Sequence, residues 1–104
     1  MIVVSSSQIA GKRITKTLGL VRGNTVRARH IGKDILAGLK NIVGGEIEEY
    51  TKLLAEAREQ AIDRMTVQAR ELGANAIVDV RFSTSYIMNL ASEIMVFGTA
   101  VRVE

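Results

Sequence analysis

The run SEIMVFGTAVRVE, Ser92 to Glu104, limits what this chain can fold into more than any other stretch. Met95, Phe97, Thr99, Val101 and Val103 share one parity, and Ile94, Val96, Gly98 and Ala100 share the other. Side chains alternate between the two faces of a strand, so this segment reads as a strand that is dry on both sides. Each face then needs a cover. At 104 residues the chain is a single domain spanning 1–104, and it holds few elements that could serve. Helices cover one face. For the other, a subunit interface is the simplest candidate, because contiguous exposed apolar surface marks a contact.

The first cover is easily found. From Ile47 to Leu72 the text is IEEYTKLLAEAREQAIDRMTVQAREL, with Tyr50, Leu54, Ala57, Ala61, Met65, Ala69 and Leu72 along one helical face. The residues are good helix formers. The alanine-rich stripe predicts a close approach to a sheet or partner, and Gly73 predicts the stop. A second, earlier helix is expected in HIGKDILAGLKNIV, where Ile31, Ile35, Leu39, Ile42 and Val43 recur at helical spacing before Gly44 and Gly45. Strands are expected at Ile2–Val4, along RITKTLGLVRGNTVRAR with a bend or bulge near Arg22–Asn24, and through ANAIVDVRF. In that last segment Ala76, Val78, Val80 and Phe82 form the drier face.

Composition removes several function classes. Apolar residues make up 47% of the chain and charged residues 24%, which is the balance of an ordered globular domain. There is no cysteine, which excludes disulfides, thiolate nucleophiles and Cys-based zinc or iron–sulfur sites. The opening MIVV runs straight into SSSQ, too short for a signal peptide. No run approaches a membrane span, and a cytoplasmic location is the expectation. The net charge is +3, with two Phe, two Tyr and no Trp. That gives no strong nucleic-acid signal, since such surfaces usually pair a basic stripe with aromatic platforms.

Few residues could carry chemistry. No serine sits in a G-x-S-x-G elbow, and no glycine pattern matches a phosphate loop. The protein is therefore not expected to be an enzyme. Glu46 and Glu49, three apart at a helix start, could ligate a hard divalent cation together with His30, the single histidine. The plainer reading is that these acids complement the helix dipole, and that His30 is a cap or surface residue. Tyr50, Asp79 and Arg81 are candidates for an intersubunit pocket, and Arg27 and Arg29 could share a strand face as an anion patch.

Four segments together carry a resemblance: VGGE ending at Glu46, YTKLLAEAREQAIDRM from Tyr50, ELGANAIVDVRF from Glu71, and FGTAV from Phe97. They resemble the YbjQ family of small bacterial proteins over nearly the whole chain. The element order read from the residues is β-(β)-α-α-β-β, and the resemblance implies an α+β subunit similar to dodecin, with two helices on an antiparallel sheet, assembled as a ring-shaped homopentamer. It also carries a heavy-metal-binding label. Gly44, Gly45, Gly73 and Gly98 match as structural positions, and Glu46 is the matched residue able to ligate. The function expected is that of a homo-oligomer, itself its own partner, in a binding or scaffolding role. The alternatives are a carboxylate metal binder and a small-ligand enzyme with a pocket between subunits.

Overall fold

A computed structural model describes residues 1–28, 45–88 and 91–104, with side chains given for 1–26, 52–85 and 92–104. Four strands and a helix follow one another: β1 (Ile2–Val3), β2 (Ile14–Ala28), α1 (Gly45–Glu71), β3 (Ala76–Met88) and β4 (Ala91–Val103). They form one sheet in the order β1-β3-β4-β2. β4 runs antiparallel to both of its neighbours, so the segment that looked dry on both sides is indeed an inner strand.

β1 overturns the expectation of a purely antiparallel sheet. It pairs parallel with β3, Ile2 opposite Ala76 and Val3 opposite Ile77. The bonding continues past the strand, where Val4 N–H donates to Ile77 O and Val80 N–H donates to Val4 O. β1 and β2 occupy opposite edges of the sheet, so the chain between them crosses the face away from α1. That crossing sets the parallel direction. Among the described residues α1 is the one helix, and the helix expected at 31–43 lies outside them. The dodecin-like, ring-shaped description presumed a purely antiparallel sheet, and the parallel pairing of β1 overturns it.

α1 lies on β2 and β4 through its small residues. Ala57, Ala61, Met65 and Ala69 are fully buried against Val21, Ile77, Ile94, Val96 and Ala100. The approach is close because Gly23 lies underneath. A Cβ at Gly23 would stand 1.9 Å from Ala61 O and 2.7 Å from Met65 N, both backbone atoms that cannot give way. Two residues on, Thr25 Oγ1 donates to Ala57 O at 2.7 Å in a buried setting. At its far end the helix stops where expected. Gly73 takes φ 87°, its N–H donates to Arg70 O at 2.9 Å, and Ala74 N–H reaches back to Ala69 O at 3.0 Å. These are the paired bonds of a left-handed glycine stop.

Two strands, β2 and β3, depart from simple alternation. In β2 the register shifts fall between Ile14 and Lys16 and between Thr17 and Gly19, not at Arg22–Asn24. In β3 an extra residue lies between Val78 and Arg81. There Asp79 takes φ 54°, a left-handed conformation that Asp tolerates better than most residues. The bulge changes which parity faces the helix. Ile77 and Val80 both pack toward α1, while Ala76 and Val78 pack on the other side. The expected single face of Ala76, Val78, Val80 and Phe82 is thereby split.

Candidate functional site

The face away from α1 has two halves. In the proximal half Ala76, Val78, Val101 and Val103 are buried under Ile2 of β1 and Val4 and Ile9 of the crossing segment. The cover that the sequence seemed to require from another subunit is thus supplied in part by the chain itself. Asn75 ties down this end by bonding like a strand residue: its Nδ2 donates to Val103 O at 2.9 Å, and its Oδ1 accepts from Val103 N–H at 2.8 Å.

The distal half has no such cover among the described residues. The register lines its side chains into rows across β2, β4 and β3. Arg22, Phe97 and Arg81 stand abreast, followed by Asn24, Met95 and Ser83, then Val26, Glu93 and Ser85. Leu20 flanks the first row and is 68% exposed, and Val26 is 56% exposed. Arg81 is steadied by the crossing segment, its Nη1 donating to Ser5 O at 2.7 Å and to Val80 O at 2.9 Å. Among the described residues neither Arg22 nor Arg81 has a carboxylate partner. The recorded ion pair is Arg13–Glu104, at 3.8 Å and exposed at both ends, which contributes little to stability.

The residues singled out in the sequence are not gathered into one site. Glu46, Glu49 and Tyr50 fall in the opening turns of α1, with side chains outside the described set, as is that of Arg27 at the end of β2. His30 and Arg29 lie outside the described residues altogether. Asp79 and Arg81 flank the β3 bulge, where Arg81 bonds to backbone carbonyls rather than to Asp79. An open groove of ≈ 530 Å³ lies elsewhere, at the C-terminal end of α1, between Lys16, Leu18, Leu72 and Arg102. Sequence reasoning missed the Arg22–Phe97–Arg81 row. Nothing local could have revealed it, because its members come from three strands and meet only through the register.

Metal donors are sparse. Among the described residues no three of His, Cys, Asp or Glu gather closely enough to hold an ion. A soft heavy metal prefers thiolate, thioether or imidazole, and the chain has no cysteine and one histidine. The thioethers of Met65 and Met95 are on opposite faces of the sheet, the first buried under α1. This donor set does not fit a soft-metal site. No helix among the described residues is long and apolar enough to cross a membrane.

Taken together, a mixed four-stranded sheet under a long helix, with half of its outer face uncovered among the described residues, defines a small α+β protein. The chain belongs to the YbjQ family, whose model, described as "Putative heavy-metal-binding", matches residues 1–104. A UPF0145 protein of Dehalococcoides mccartyi is 64% identical over 104 residues, covering 100% of both chains. An archaeal UPF0145 protein, from Methanosarcina acetivorans, is 55% identical over 103 residues, covering 99% of this chain and 97% of its own. A crystal structure of a protein of unknown function from the DUF74 family of Pediococcus pentosaceus shares the fold. It aligns with a TM-score of 0.68 at 14% identity, over 100% of this chain and 98% of its own.

Proposed function

We propose that the protein works as a homo-oligomer in a binding or scaffolding role, with the distal half of the outer sheet face as its self-contact. One observation carries this reading: Leu20 and Val26 are 68% and 56% exposed beside Met95 and Phe97, on a face whose other half is fully covered. Apolar side chains grouped in this way favour a partner surface over water. Five copies is the number that the family resemblance suggests.

Native mass spectrometry before and after mild chelation tests the proposal. A wild-type mass near five times 11.3 kDa that falls to the single chain in Leu20→Asp supports it. A monomeric wild type overturns it. The family's description favours metal binding as a second reading. A metal held in fixed ratio to subunits and lost on chelation would put that reading first, with Glu46 and His30 as the residues to substitute.

A further inference from the structure

We infer that the groove at the C-terminal end of α1 is a binding site for a phosphate monoester that carries a short apolar group. Its lining matches both parts of such a ligand. Lys16 and Arg102 supply two cations, and Leu18 and Leu72 supply an apolar wall. The volume of ≈ 530 Å³ falls within the range of small-molecule sites, and every lining residue belongs to the described set. The groove lies on the helix side of the sheet. Leu18 packs against the cluster under α1, and Arg102 Nη1 donates to Gly73 O at 3.3 Å. It is therefore separate from the outer face proposed above as a self-contact, and neither reading depends on the other.

The register shifts of β2 assemble this lining. Gly19 stands opposite Ala100, and Leu20 opposite Thr99. Continued without a break, that register would set Thr17 opposite Arg102. Leu18 enters as an extra residue instead, and Lys16 takes the place facing Arg102. A second shift, at Thr15, follows before Ile14 pairs with Val103. Both extra residues, Thr15 and Leu18, line the groove together with the lysine. Thr15 Oγ1 also donates to Arg102 O at 3.3 Å, which ties the first shift to the second cation. Bulges re-aim side chains and are over-represented beside active sites. Here two of them turn a lysine toward an arginine.

The result is a like-charge pair. Side chains directly opposite one another on neighbouring strands stand about 5 Å apart at Cβ, and like charges there are destabilising. Among the described residues neither Lys16 nor Arg102 has a carboxylate partner. Glu104, the one acid in the lining, pairs with Arg13 at 3.8 Å. A dianion between the two cations offsets their repulsion. Phosphate suits the pair, because Arg binds it bidentately and Lys adds a point charge. A phosphate monoester carries about −1.5 to −2 charges at pH 7, whereas a carboxylate carries one. The apolar wall adds the second requirement. Leu72 is 45% exposed, and a short alkyl group laid on it leaves water with less apolar surface to cover.

Titration calorimetry on the full chain compares hexyl phosphate, inorganic phosphate and hexanoate as probes. Hexyl phosphate is expected to bind once per chain, at least about tenfold tighter than either of the others. Lys16→Gln is expected to weaken it at least about tenfold. Leu72→Asn is expected to weaken hexyl phosphate and leave inorganic phosphate unchanged. Lys16 is exposed, so its substitution is expected to keep the wild-type far-ultraviolet dichroism. Absence of hexyl phosphate binding overturns the proposal, as does hexanoate binding equally well or an affinity that Lys16→Gln leaves in place. Phosphatidylcholine vesicles with and without phosphatidic acid then identify the source of the monoester. Retention on the phosphatidic acid vesicles alone, lost in Lys16→Gln, assigns a lipid headgroup. Hexyl phosphate binding without such retention assigns a free ester.

Discussion

Val101 and Leu20 lie on the same side of one sheet, yet the first is 1% exposed and the second 68%. The composition of the strands does not explain the difference, since both halves of that side carry apolar residues. It comes from the ten or so residues that leave β1 and must cross to the opposite edge. They lay Val4 and Ile9 over the proximal half on the way and meet the distal half at its first row, through the Arg81–Ser5 bond. Topology, more than hydrophobic content, decides which part of the face is buried and which stays exposed among the described residues.

Substitution should separate the two halves sharply. Val101→Asp places a carboxylate where no partner exists, and it is expected to cost on the order of 4 kcal/mol in urea unfolding. Asn75→Ala strands both backbone groups of Val103 that the side chain now satisfies, for a loss of about 1–3 kcal/mol. Ile9→Ala removes part of the half-buried cover and should cost about 1 kcal/mol. Leu20→Asp is expected to change the stability of the dissociated chain by no more than about 0.5 kcal/mol, while acting on assembly. Equal losses at Val101 and Leu20, measured on dissociated protein, would erase the distinction.

Much of the architecture was legible because it is written in local periodicity. The long helix and its glycine stop follow from residue spacing, and the inner position of β4 follows from its two apolar parities. The parallel pairing of β1 was not legible, because a two-residue strand carries no directional signal. The β3 bulge was hidden by an alternation that looked unbroken through Phe82. The site was less legible still. Arg81 bonds to a carbonyl 76 residues away, and Gln68 and Arg64 of α1 bond to backbone groups of β2 more than 35 positions away in sequence.

The extra residue at Asp79 also acts as a phase shift in the strand's code. Before it, odd-numbered Ile77 points toward the helix. After it, even-numbered Val80 does so, and the pairing of Phe82 with Val96 keeps that setting. Were Asp79 drawn into the regular ladder with no residue lost, composition would be intact, yet everything beyond it would exchange sides. Arg81 and Ser83 would turn inward, and Phe82 and Thr84 would take over the outer surface. The identity of the exposed surface is therefore held by one left-handed residue, well away from the side chains that make it up.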